Sequence, residues 1–112
     1  MARILLVLAL LTIAGSAFAE SVDVKYRGLV ALDNFHCQVI SRSSFIERVC
    51  YDDAHDYMLI SLEGQYYGYC GVDKATLDGL LTALSMGRFY VAKIRSKGTE
   101  GPFDCRSQET EE

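Results

Sequence analysis

Four cysteines, Cys37, Cys50, Cys70 and Cys105, are the residues of this 112-residue chain whose type and spacing speak most directly of chemistry. A structural zinc site brings its ligands in pairs two to four residues apart. The gaps here are 13, 20 and 35, and His36 beside Cys37 does not mend them. Neither the C-x-x-C of dithiol redox chemistry nor the C-x-x-C-H of haem attachment occurs. No metal and no cofactor are therefore expected, and the even count reads as two disulfides. Joining Cys37 to Cys105 would clasp the two ends around a loop of about 70 residues, worth roughly 4 kcal/mol on the chain-entropy estimate, and would leave Cys50 with Cys70. Those two would then end the first and third strands of a meander, about 9.6 Å apart where bridging allows about 7 Å. All three connectivities stay open.

Other side chains invite a role in binding. Tyr67 and Tyr69 are two apart on a predicted strand, so both rings leave one face, while Tyr66 and Gly68 occupy the other. On an open face they could stack on a ring or a sugar; under a covering helix they are core residues with their hydroxyls at the rim. Arg88, Lys93, Arg95 and Lys97 form a basic run without an acidic residue from Gly79 to Thr99, and helical spacing puts Arg88 and Arg95 on one side. Such a ridge holds an anionic partner or is a solvated helix face. The loop Asp52–Asp56 gathers Asp52, Asp53, His55 and Asp56, but lacks the glycine and distal glutamate of a calcium loop and reads as turn chemistry. With no G-x-S-x-G and two histidines only, no enzyme is expected, and no residue is assigned a catalytic role.

The elements that must carry these residues follow from periodicity. Val22, Val24 and Tyr26 alternate with polar neighbours as in a half-buried strand. Residues 29–32 and 35–40 read as extended or irregular, divided by the turn pair Asp33-Asn34. A β-rich stretch, Ser44 to Tyr51, leads through the Asp52–Asp56 turn to a strand from Tyr57 to Leu62, with Met58, Ile60 and Leu62 on one face. Glu63-Gly64 then offers a two-residue hairpin into a strand from Gln65 to Cys70. Asp73 is placed to cap a helix with Leu77, Leu80, Leu81 and Leu84 in one stripe, and Gly79 within it implies close packing or a short helix. Ser85 caps a second helix with Met86, Phe89, Tyr90 and Ile94 inward and Arg88, Lys93 and Arg95 outward. The fold class is α+β: a small antiparallel meander of three strands, or four with the N-terminal one, packed by two short C-terminal helices and stabilised by disulfides.

Met1 to Ala19 has one charge, Arg3, an 11-residue apolar stretch and a small-residue end, Ala17-Phe18-Ala19, the pattern of a cleaved secretory signal. Roughly 20 apolar residues would be needed to span a bilayer. Cleavage leaves 93 residues of net charge −5, starting at Glu20. That balance opposes general binding to nucleic acid or anionic membranes, which draws its affinity from neutralising phosphates.

From Ser43 to Arg95 the chain resembles the KTSC domain, a short module found at the C terminus of some lysyl-tRNA synthetases and as a free-standing bacterial protein. The resemblance rests on Ser43-Ser44, Ile46, Val49-Cys50-Tyr51-Asp52, the Met58/Ile60/Leu62 alternation, Tyr67-Gly68-Tyr69, the leucines from 77 to 84, Ser85-Met86-Gly87-Arg88-Phe89-Tyr90 and Ile94-Arg95. Cys50 and Cys70 depart from cytosolic members in a way that fits export. The organisation expected is a signal peptide over 1–19, an N-terminal extension over 20–42, a KTSC-like domain over 43–97 and a C-terminal extension over 98–112.

The resemblance implies no established activity. The expected role is an exported binding or interaction module, periplasmic or secreted, monomeric, meeting a protein or an anionic ligand through Tyr67, Tyr69, Arg88, Lys93 and Arg95. The alternatives are an RNA-binding module using the Arg88–Lys97 ridge, which the company of a synthetase suggests, and a hydrolase working from the Asp52–Asp56 loop.

Overall fold

The structure, a computed structural model, describes residues 20–95 and 101–105. The signal segment 1–19, Lys97 and the acidic tail from Ser107 onward lie outside the described residues. The expected meander is present as β4 (Ile46–Asp52), β5 (Tyr57–Leu62) and β6 (Gln65–Tyr69), successive antiparallel neighbours. Glu63 and Gly64 both have positive φ, 49° and 88°, which is the two-residue turn whose twist matches the flanking strands.

The sheet is larger than three or four strands. Also present are β1 (Ser21–Val24), β2 (Gly28–Ala31) and β3 (His36–Val39), and the spatial order is β2-β1-β6-β5-β4-β3. The sheet is mixed, because β1 runs parallel to β6, where Val24 pairs with Tyr66. Tyr26 is not on the first strand: it sits in the turn after β1 at φ 71° and is 82% exposed. β2 and β3 lie in the two stretches read as extended or irregular; Gly28–Ala31 is apolar throughout and His36–Val39 alternates over four residues only, too short a run to mark a strand by itself.

The two edge strands are sequence neighbours. Ala31 and His36 are five residues apart, so they lie within about 18 Å, whereas five flat strand spacings would separate them by about 24 Å. The sheet must therefore curl, with residues 32–35 bridging its edges. The concave face holds Val22, Val24, Leu32, Cys50, Tyr57 and Leu59. Phe35 lies against the Tyr57 ring at 5.8 Å between centroids. The opposite face carries Ile46, Val49, Tyr51, Met58 and Ile60 beneath the helices. Lying between both layers, β5 is buried along nearly its whole length.

The first helix, α1 (Lys74–Thr82), starts as expected at Asp73, whose Oδ1 accepts from the Thr76 amide at 2.8 Å. Leu77 and Leu80 are buried and Leu81 packs partly against them, but Leu84 is fully exposed. The stripe stops because Ala83 turns extended, at ψ 143°, and Leu84 leaves the helical phase. The Arg42 guanidinium donates to the Leu81 and Ala83 carbonyls, 2.8 Å each, satisfying acceptors that a helix end leaves open. Gly79 is there for packing: a Cβ would come within 2.8 Å of the Phe89 ring.

Ser85 caps α2 (Met86–Phe89), accepting from the Arg88 amide at 3.2 Å, and a π-helical turn, Tyr90–Ile94, continues it. Met86, Tyr90 and Ile94 are buried, while Arg88, Lys93 and Arg95 point to solvent. A Cβ at Gly87 would come within 2.7 Å of the Phe45 ring.

The clasp between the chain ends does not form. Cys37 is bonded to Cys50, directly opposite it on the neighbouring strand, and Cys70 to Cys105. β3 lies in a stretch read only as extended or irregular, and it is β3 that carries Cys37 alongside β4. This leaves Cys70, just past the end of β6, for the segment 101–105.

Candidate functional site

β6 crosses the sheet between two unequal neighbours. Because Glu63-Gly64 is a two-residue turn, Leu62 and Gln65 form a hydrogen-bonded pair, and so do Ile60 with Tyr67 and Met58 with Tyr69. The backbone groups of Tyr66, Gly68 and Cys70 then point the other way, toward β1. The Tyr66 carbonyl accepts from the Lys25 amide at 2.9 Å, and the Cys70 amide donates to the Phe103 carbonyl, also at 2.9 Å. Between these two contacts β1 has already turned away. Among the described residues, no backbone bond reaches the outward N–H and C=O of Gly68.

A groove of about 890 Å³ opens at this interruption. One wall comes from the β1–β2 turn with Lys25 and Arg27, the other from Phe45, Tyr90 and Ile94, and the disulfide-held segment with Phe103 and Cys105 closes one end. Tyr69 points under the helical layer, where its hydroxyl and that of Tyr90 are hydrogen-bonded. The two rings meet edge to face at 6.0 Å. Burial pushes both phenol pKa values up, because the charged phenolate would lose its hydration. Tyr67, half-buried on the same face, lies under Lys25, whose Nζ is 5.7 Å from the ring centroid. Arg27 stacks on Tyr57 at 4.8 Å, and the Tyr57 hydroxyl sits so near Gly68 that a Cβ there would collide with it. Arg95 adds a third cation to the groove; Glu63 and Asp104 are its carboxylates.

The predicted contacts thus divide. Tyr69 behaves as a core residue, and Tyr67 faces the groove with Arg95. Arg88 lines a second depression of about 630 Å³ with Arg42, Ser43 and Ser44, and Lys93 lines neither. A continuous ridge through Arg88 and Arg95 is not formed, because the Arg95 amide bonds back five residues to the Tyr90 carbonyl at 2.8 Å. The extra residue in that turn displaces Arg95 by about 100° from regular helical phase. Lys25, Arg27, Phe45 and Phe103 were not singled out from the sequence. Lys25 and Arg27 read as the polar positions of an alternating strand, and nothing local signals that the strand ends at Val24.

The Asp52–Asp56 loop is a hydrogen-bonded turn. Asp52 is buried; its carboxylate accepts from the Ala54 amide at 3.1 Å and meets His55 Nδ1 at 2.8 Å. Asp56 takes the left-handed conformation at φ 50° and stands 3.2 Å from the Tyr51 hydroxyl, which donates to the Val72 carbonyl at 2.7 Å. Among the described residues no group of three or more potential metal ligands occurs. No described helix is long and apolar enough to cross a membrane.

The KTSC domain family model matches residues 42–97, the stretch that carries β4 to β6, both helices and the π turn. A crystal structure of a KTSC domain protein from Yersinia pestis is similar at 30% identity, with a TM-score of 0.52. The match covers 60% of this chain and 99% of that one. No curated protein matches the chain.

Proposed function

This chain belongs to the KTSC domain family, and from that premise we propose that it is an exported, non-catalytic binding module whose ligand surface is the groove beside β6. The observation that carries this reading is the meeting of a half-buried aromatic, Tyr67, with Lys25 and Arg95 along one open groove. Rings bury apolar surface while cations select anionic partners, so a protein or other anionic ligand is the expected partner and the module acts as a monomer. The secretory pattern at the N terminus and the two disulfides support export to a periplasm or beyond, where oxidised cysteines persist. Asp52, His55 and Asp56 of the Asp52–Asp56 loop are engaged in hydrogen bonds, which supports surface rather than reactivity as the product of this fold.

Retention of the oxidised full chain on immobilised poly-glutamate tests the reading. Tyr67→Ala and Arg95→Glu should each reduce retention severalfold, and Lys93→Glu, outside the groove, should leave it nearly unchanged. Equal retention of all three variants, or none by the wild type at low salt, would rule the groove out as the anionic site.

A further inference from the structure

Resting on that reading, we propose that the groove captures the free C-terminal end of a partner polypeptide, with the terminal carboxylate at Gly68 and an apolar last side chain among the aromatics. The gap in the sheet defines the occupant. Tyr66 and Cys70 already have their outward backbone partners, so β6 offers one residue's N–H and C=O, those of Gly68, rather than an edge along which a strand could run. An opening one residue wide suits the end of a chain.

The groups around that opening give the occupant its sign. Lys25 is anchored next to it through its own amide, and Arg27 is stacked on the ring whose hydroxyl abuts Gly68. Arg95 stands on the same groove. With three cations against the two carboxylates Glu63 and Asp104 along the groove, the Gly68 N–H can donate to a carboxylate, and charge-assisted hydrogen bonds are shorter and stronger than neutral ones. The same field repels the ammonium of a chain's N terminus. Behind the opening, Phe45, Tyr69, Tyr90 and Phe103 supply the apolar wall for a last residue such as phenylalanine or leucine. Residues 106–112, Arg-Ser-Gln-Glu-Thr-Glu-Glu, include no large apolar side chain that would fill this wall.

The test uses the oxidised full chain, ¹⁵N-labelled, titrated with acetyl-Ala-Ala-Val-Phe as the free acid and as its C-terminal amide. The free acid should bind at least tenfold more tightly, with the Gly68 amide proton moving downfield, and Lys25→Glu combined with Arg95→Glu should remove that preference. Equal binding of acid and amide overturns carboxylate capture while leaving an apolar groove in place. Binding of hexanoate as tight as that of the peptide overturns the polypeptide assignment in favour of a small carboxylate. Tighter peptide binding after deletion of residues 106–112 identifies the protein's own tail as the occupant and overturns the partner. If neither peptide binds, the proposal fails, and the poly-glutamate measurement decides separately whether the groove binds anions.

Discussion

Gly68 shows how much one missing side chain organises. Its place in β6 calls for no unusual backbone, yet a Cβ would overlap the Tyr57 hydroxyl. Gly68→Ala should therefore destabilise the fold by about 1–3 kcal/mol, the usual cost of overpacking. Tyr57→Phe should recover part of that loss in the double variant. Urea denaturation of the four species measures the coupling, and strictly additive losses would show that the two groups do not compete for the space. Tyrosine ionisation gives a second expectation. Burial first, then the hydrogen bond to Asp56, pushes the Tyr51 hydroxyl up to about 12 from an ordinary 10. A folded-state pKa above the unfolded one means that the unfolded chain releases its proton first. The stabilisation is thus complete below pH 10 and disappears as the pH rises to 12. Tyr51→Phe should flatten the fall in unfolding free energy over that window, though Tyr69 and Tyr90, both also raised, will keep some of it.

At the scale of elements, the run Ser85-Met86-Gly87-Arg88 is mostly about building a helix corner. Ser85 caps, Met86 fills the core and Gly87 admits the Phe45 ring. The Arg88 side chain is exposed and does not contribute to the core of that corner. Ser85→Ala should cost about 1 kcal/mol of stability through the lost cap, whereas Arg88→Ala should stay within about 0.5 kcal/mol of wild type. Thermal unfolding of both variants checks the contrast, and a reversed order would mean that the arginine carries a structural bond. The cap at Asp73, the hairpin turn at Glu63-Gly64 and the core positions of α2 were legible because each depends on residues within one turn of one another. Leu84 was misplaced because α1 ends where Arg42, some forty residues earlier, meets its last carbonyls. The π turn likewise broke a helical phase that the spacing of Arg88 and Arg95 had implied.

Across the whole molecule, the curl of the sheet is what unites the chain. It brings Glu20, just before β1, to Arg48 on β4 at 2.7 Å, although two strands separate β1 from β4 in the sheet. The segment 20–42, expected as an extension, supplies half the strands. The disulfides fasten the two places where this architecture is thin, an edge strand and the groove's end wall. On the chain-entropy estimate they contribute about 3 and about 4 kcal/mol for Cys37–Cys50 and Cys70–Cys105. Non-reducing peptide mapping should recover those two pairs. Cys70→Ser with Cys105→Ser should weaken ligand retention through loss of the wall, while Cys37→Ser with Cys50→Ser should lower stability and leave the affinity of the remaining folded protein largely unchanged. Loss of retention in both double variants alike would mean that the groove reports global stability only.

Local chemistry is legible in the residue order: a secretory leader pattern, a meander with its hairpin turn, two capped helices, cysteines destined for each other and the KTSC motif that threads them. Tertiary structure alone decided which cysteines meet, which tyrosine faces the groove, and that β6 keeps one backbone residue open at Gly68. The division has a physical cause. Caps, turns and periodicity are interactions among near neighbours and are written in residue types, whereas strand order and the covering of faces follow from closing a loop between two sheet edges. That closure depends on every strand between them, and no single residue records it.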